Sequence, residues 1–419
     1  MRTLLVMLSL LWGTAQATDW VIKNATVHWP NGEKTVNTHL LIRDGVLVAA
    51  GPQIDVPKGA KQIEGESLHV TAGLFNANTH IGLEEVSLVN DTVDFAAEND
   101  LVTASLRVAD AFNPSSATVL HNRTQGITHA LILPEAGGSL IAGQAALVNL
   151  SASRHSVEKQ TVGVVVSLGQ TGKKLAGGSR AAAMALLREA LMDAKDYARH
   201  KEDYQRRARR DYQLSRADLE ALEPVVTGQL PLIVRVHRAS DILTVLDLAK
   251  TMDIRIVLLG AEEGWRVADE IAKAKVPVII DPTANTPASF ERLGARSDNA
   301  TYLHKAGVTL LFTGIGWQTT HNAFLVRQAA GNAVANGLPY NAAMAAMTSN
   351  LWKVFGGHGA GLQLNRPADL VVWDGDPLEV TTEVEAVFLD GQVIPLVSHA
   401  TLLRDRYAER YQLIHNSTN

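Results

Sequence analysis

Apolar positions along the chain follow two different rhythms. Near the start, Trp20-Val21-Ile22-Lys23-Asn24-Ala25-Thr26-Val27, Leu40 to Arg43 and Val46 to Ala50 are short β-rich runs, the last two flanking Asp44-Gly45. An Asp-Gly pair between apolar runs is a strong hairpin signal, because both residues tolerate the positive φ of a tight turn. Another strand is predicted over Ser67 to Val70. The rhythm returns far along the chain in Ala368-Asp369-Leu370-Val371-Val372-Trp373 and Ala386-Val387-Phe388-Leu389, with Asp390-Gly391 as the next turn. Strands at both ends predict one sheet-rich domain assembled from the two termini.

Between them the rhythm changes. Continuous apolar runs at Ala130 to Leu133, Val162 to Leu168, Leu232 to Val236, Arg255 to Leu259, Val276 to Ile280 and Val308 to Phe312 alternate with helical stretches such as Ile242 to Met252 and Trp265 to Ala274. Strands that are apolar on both faces and separated by helices belong to a covered parallel sheet. This many units predict closure into a (β/α)8-type TIM barrel rather than an open sheet. Ser179 to Glu223 reads as long helix, and its charged stretch from Arg199 to Arg210 mixes both signs. That pattern fits a solvated helix face with i,i+4 support better than an anion-binding patch. The predicted division is a small β-sandwich from 18–73 and 364–398, a barrel over 74–363 with a helical insertion at about 179–223, and a C-terminal helix over 399–419.

Composition narrows the class. Of 419 residues, 46% are hydrophobic and 19% charged, which suits a folded protein with a large core. A formal net charge of −5 gives no electrostatic reason to expect nucleic acid as a partner. Arg2, the apolar run Leu4 to Trp12 and Ala15-Gln16-Ala17 fall in the order of a secretory signal over 1–17, so a periplasmic location is expected. That run is too short to cross a bilayer, and no later stretch is long enough, so no membrane span is expected. With no cysteine there are no disulfides and no thiolate ligands for a metal.

Three stretches go further: Ala72-Gly73-Leu74-Phe75-Asn76-Ala77-Asn78-Thr79-His80-Ile81-Gly82-Leu83, then Gly126-Ile127-Thr128 with Ile141-Ala142-Gly143-Gln144, and Pro367-Ala368-Asp369-Leu370-Val371-Val372-Trp373-Asp374-Gly375-Asp376-Pro377-Leu378. Together they resemble the amidohydrolase superfamily, in particular its exported imidazolonepropionase-related members. The resemblance implies hydrolysis of non-peptide or cyclic C–N bonds in a small-molecule substrate, with one or two divalent metals at the C-terminal mouth of the barrel. Such a metal lowers the pKa of bound water and polarises the carbonyl under attack.

The positions at which the resemblance implies metal ligands are altered in this chain. The first barrel strand should carry His-x-His and carries Asn78-Thr79-His80. His80 is therefore a metal ligand or a histidine hydrogen-bonded in the mouth, and Asn78 is a weak neutral oxygen donor and a substrate-binding candidate. The fourth strand should end in a bridging lysine or glutamate, and Thr161 to Leu168 holds neither. On the fifth, Arg235 stands where a histidine is implied, with His237 on the same face two residues later and a ligand itself if the register shifts by two. Arg235 would oppose a metal by like charge and is a substrate-binding candidate. Beyond the sixth strand, Glu262 and Glu263 either face the pocket or serve as acids at a helix N-terminus. The eighth lacks its aspartate, leaving His321 for proton transfer or helix capping. Asp281, before Pro282, either lines the pocket or makes a turn, and Gly137-Gly138 is too short a pattern to signal phosphate binding.

The expectation is a hydrolase with a degenerate site. His80 and His237 are its metal ligands, His321, His237 and Asp281 its catalytic candidates, and Arg235, Asn78 and Glu262 its substrate contacts. Its cofactor would be one divalent metal ion, zinc before others, weakly bound or absent. The competing expectation is a metal-free, non-catalytic periplasmic binding protein on the same fold. A homodimer is the default oligomeric state.

Overall fold

The computed structural model describes residues 19–65, 67–357, 359 and 361–416, with backbone only at 409 and 411–416. The expected signal over 1–17 lies outside the described residues. Strands β1 (Trp20–His28), β2 (Lys34–Arg43), β3 (Val46–Gly51), β4 (Lys61–Ile63) and β5 (His69–Ala72) open the chain. Next come β6 (Leu74–Thr79), β7 (Ile127–Ile132), β8 (Ile141–Asn149), β9 (Val157–Ser167), β10 (Leu232–Val236), β11 (Ile256–Gly260), β12 (Val278–Ile280) and β13 (Leu310–Phe312). β14 (Arg366–Pro367), β15 (Leu370–Trp373), β16 (Val384–Leu389) and β17 (Gln392–Ile394) follow them.

The terminal strands form one nine-stranded sheet in the order β14-β3-β2-β1-β5-β15-β16-β17, with β4 also on β1. Pro367 at one edge and Leu370 in the middle are three residues apart, a reach of about 10 Å at most. The sheet must therefore curl over itself. The two predicted turns meet where it does, because Ala368 N donates to Gly45 O at 2.8 Å and Gly391 N to Ala368 O at 2.9 Å. Asp44 and Asp390 have φ near 50°, as such turns require. Ile22, Val27, Leu40, Val70, Leu370, Val372 and Phe388 fill the space enclosed. The expected small β domain is thus a single curled sheet drawn from both ends of the chain.

The second sheet runs β13-β12-β11-β10-β9-β8-β7-β6. Its strands are parallel except β8, which is antiparallel to both β7 and β9. At the seam between β13 and β6, the Thr313 hydroxyl lies 3.1 Å from Asn76 Oδ1 and 2.9 Å from the Asn78 carbonyl, closing the barrel through a side chain. Alternation along each strand separates two cores. Phe75, Leu131, Val165, Ile233, Leu259, Ile279 and Leu311 pack inside, with Leu351 and Phe355 of the helix Asn350–Phe355. Val164, Val234, Leu258, Val278 and Leu310 belong to the outer core shared with the helices.

The insertion is not one long helix but three, Arg180–Arg199, Lys201–Gln205 and Arg216–Val226. Ser179 and Ser215 cap the first and third, their side chains accepting from Ala182 N and Asp218 N. The charged stretch pairs within the insertion, Arg206 with Glu202, and Arg209 and Arg210 with Asp196 and Glu189 of the first helix. The final helix spans His399–Asn416. Among the described residues, no helix is long and apolar enough to cross a membrane.

Candidate active site at the barrel mouth

Inward-facing positions continue past the strand ends and set the chemistry of the mouth. On β7 the inward series runs Leu131, Leu133, Glu135, and on β10 it runs Ile233, Arg235, His237. On β6 a bulge intervenes, since Asn76 and Thr79 pair with Ala130 and Ile132, three residues of advance against two. The bulge reverses the faces, so Thr79 turns outward to donate to Thr319 O at 2.6 Å and His80 turns in.

There Arg235 Nη2 donates to Glu135 Oε1 at 2.7 Å, and His80 Nε2 lies 3.6 Å from the same oxygen. Glu135 is fixed by its own backbone, whose N–H donates to Phe95 O at 2.9 Å, and the Phe95 ring stacks on His80 at 3.7 Å. Burial works to raise the Glu135 carboxyl, but Arg235, and then His80, outweigh it and hold the group down at about 2. Three side-chain atoms of this mouth are buried without a hydrogen bond: Asn78 Oδ1, His80 Nε2 and Arg235 Nε.

Gly137 and Gly138 follow Glu135 in the tight β7–β8 connection. A Cβ on either would run into the backbone of residues 97–99, and Gly138 N donates to Ala97 O at 2.9 Å. The pair exists for close chain packing over the mouth.

A second cluster begins two residues beyond Arg235. His237 Nδ1 is hydrogen-bonded to Glu262 Oε2, and Arg292 Nη2 lies 3.3 Å from His237 Nε2. Arginine can only donate, so Nε2 is the acceptor and Nδ1 carries the proton toward Glu262. Arg292 Nε is 3.3 Å from Glu262 Oε1, and Glu291 Oε1 is 3.8 Å from His237 Nε2. Gly260, at φ 98°, makes room for this ring, because a Cβ there would sit 2.5 Å from His237 Nδ1. Burial raises the Glu262 carboxyl, yet the hydrogen bond to His237 and the charge of Arg292 bring it below its ordinary value. Glu263 does not enter the cluster through its carboxylate, which accepts from Ala239 N at the start of the helix Ala239–Met252 and from Gly294 N.

The remaining candidates divide. Asp281 accepts from Thr283 N at 2.8 Å, Thr283 Oγ1 at 2.6 Å and Gly316 N at 2.9 Å, so its carboxylate ties two mouth loops together. Burial holds its pKa above the ordinary value, and the Glu262 charge adds to that. His321 lies 3.4 Å from Ser87 Oγ and 3.2 Å from the Glu85 carbonyl, in contact with the loop after β6 rather than with His80 or His237. The structure therefore joins Arg235 with His80 through Glu135, and His237 with Glu262, but does not bring His80 and His237 into one ligand group. Glu135 escaped the sequence reading. Its signal was an acid just beyond the end of an apolar strand, at the face where barrel sites form.

These residues do not fit a divalent metal. Among the described residues, no three of His, Asp and Glu converge in a way that could hold one. The fourth strand ends in Ser167, and Thr313 on the eighth is turned to the barrel seam. The open donors, an amide oxygen and one imidazole, stand beside an arginine.

No family model matches the chain. The amidohydrolase tasK of Hapsidospora irregularis is 22% identical over 372 residues, an alignment covering 81% of this chain and 38% of that protein's length. An amidohydrolase from Thermotoga maritima MSB8 superimposes with a TM-score of 0.79 at 23% identity, over 90% of this chain and 99% of that one. Molinate hydrolase gives 0.55 at 16% identity, over 91% and 95%. N-isopropylammelide isopropylaminohydrolase from Burkholderia multivorans gives 0.53 at 13%, over 90% and 98%. These likenesses establish that the chain has the fold of solved amidohydrolases. The finer likeness to imidazolonepropionase-related members rests on the sequence motifs alone.

Proposed function

We propose that this chain belongs to the amidohydrolase superfamily and acts at its barrel mouth on a small molecule carrying a cyclic or other non-peptide amide C–N bond. The observation that carries this reading is the trio of buried atoms that make no hydrogen bond among the described residues: Asn78 Oδ1 accepts, Arg235 Nε donates, and His80 Nε2 can do either. A buried polar group left without a partner costs about 1–3 kcal/mol, so three in one mouth argue for a ligand that satisfies them. An amide held cis in a small ring offers an N–H and a C=O side by side, the complement of that set.

Hydrolysis of such a bond adds water to the carbonyl carbon and breaks C–N. One proton of the water is released to solvent from the new carboxylic acid, and the other passes to the departing nitrogen, leaving a carboxylate and an amine. In this reading His80, the open imidazole, moves that proton, and Arg235 faces the carbonyl oxygen. His237 is held through Glu262, and Asp281 shapes the loops around the ligand.

A second reading, binding without turnover, has one observation in its favour. The carboxylates of the mouth are already engaged, Glu135 by Arg235, Glu262 by His237 and Arg292, and Asp281 by Thr283 and Gly316. A panel of lactams, cyclic ureides and N-acyl compounds, read by thermal shift and by amine or carboxylate release, separates the two. Stabilisation with release, both lost in His80→Ala, is the expected result. Stabilisation without release establishes the binder. Neither effect with any compound sinks the reading.

A further inference from the structure

We infer that Arg235 takes the place of the divalent cation in this mouth, so that the group receiving the ligand's carbonyl oxygen is a guanidinium held by Glu135. The inference rests on the functional reading above and adds what serves as its electrophile.

Four observations converge on it. Arg235 faces inward at the end of β10, on a strand where a ligand to metal is implied by the sequence resemblance. Its guanidinium is anchored at one nitrogen only, Nη2 on Glu135 Oε1 at 2.7 Å, while Nε is buried and makes no hydrogen bond. The anchor is itself fixed, since Glu135 N donates to Phe95 O at 2.9 Å. Finally, the neighbouring positions hold groups that work without a metal. Gly260 makes room for His237, Thr313 closes the seam, and Asn78 offers a neutral oxygen. A divalent ion entering here would meet the arginine's like charge and would have to take Glu135 from it. A planar guanidinium with an open N–H edge gives an oxygen the directed donor that a metal would otherwise supply, without needing an exchangeable ion.

The same geometry extends to the product. Ring opening leaves a carboxylate, and a carboxylate is the better partner for a guanidinium, so the product should compete with the substrate at Arg235.

The test uses the intact protein and zinc as its probe. Calorimetric titration of the wild-type chain with zinc chloride should show no stoichiometric binding, and excess chelator should leave ligand stabilisation and any turnover unchanged. Arg235→Met should lower turnover by about 100-fold or more, the loss seen when one oxyanion donor is removed. Arg235→Lys should recover only part of it, because the charge remains but the fork does not. Thermal melts of both variants distinguish a misfolded chain from a disabled one, and the wild-type zinc titration needs no variant at all. Stoichiometric zinc binding that His80→Ala abolishes would overturn the inference, as would chelator-sensitive activity. A silent substrate panel with a zinc-free wild-type chain would instead sink the substrate reading and Arg235's part in it, leaving only the exclusion of a metal from this mouth.

Discussion

Glu135 holds the mouth together by its pairing with Arg235, and the energy of that pairing can be bounded. The two side chains are 31% and 21% exposed, between a surface pair and a buried one. Removing one partner should therefore cost about 1–3 kcal/mol. The sign with pH follows from the depressed carboxyl. A group lowered from 4.5 to about 2 contributes stability that is present above its unfolded value and lost as pH falls through the folded one. Wild-type protein should lose this contribution between about pH 4.5 and 2, and Glu135→Gln should show a flatter profile over that window in pH-dependent melts. Identical slopes would remove Glu135 from the account. At Gly260, alanine meets both a positive φ and the His237 ring, so Gly260→Ala should destabilise by more than about 1 kcal/mol, measured by urea unfolding. Asn78, His80 and Arg235 could be found in the sequence because a motif fixes where strand ends fall. Glu135 could not be paired with Arg235 in advance, because 100 residues separate them and only barrel closure brings them together.

At the scale of elements, the join between the barrel and the curled sheet is made by buried charge. His129 of β7 lies 3.2 Å from Asp369 Oδ2, just before β15, and 3.1 Å from Glu158 Oε1 of β9. Burial alone would lower His129, but Asp369 and then Glu158 raise it above its ordinary 6.5. A histidine raised in this way stabilises fully below its unfolded pKa, and the contribution fades as pH rises through the folded value. His129→Gln should therefore cost most stability near pH 6 and progressively less in more alkaline buffer, read from thermal melts across that range. An equal cost at every pH would contradict the ion-pair assignment. The His28–His69 contact of β1 and β5, at 3.0 Å, has the opposite sign. Burial, then His69, lowers His28 to about 4, so its contribution is lost as pH falls from 6.5 toward 4.

The parallel barrel strands were legible because a strand buried on both faces must be continuously apolar. The antiparallel strand β8 was not, because Ile141–Asn149 was read only for its motif and not as a strand. The short Leu133–Leu140 connection, too brief for a crossover helix, was the available clue. The insertion breaks at His200, and its third helix starts anew at the Ser215 cap, a local signal that the charge pattern masked.

For the whole molecule, the fold and the chemistry were legible to different degrees, and for a physical reason. Apolar runs specify a barrel and a terminal sheet by burial, which tolerates exchange among aliphatic side chains. The site depends on single polar residues and on their partners from distant strands, so a likeness in fold leaves the reaction open. What the mouth adds is a consistent substitution. Where metal ligands were expected on the first and fifth barrel strands stand an amide and an arginine, the arginine is anchored on a carboxylate, and a threonine closes the seam. The measurement that tests this account most directly is a thermal-shift screen of cyclic amides with chelator present throughout, run in parallel on wild-type protein and Arg235→Met. At a ligand concentration about 100-fold above Kd, binding adds about 2.7 kcal/mol, enough to read as a shift of a few degrees or less. At least one compound should stabilise the wild-type chain under chelation and fail to stabilise the variant. Equal stabilisation of both proteins, or stabilisation that appears only when zinc is restored, would contradict it.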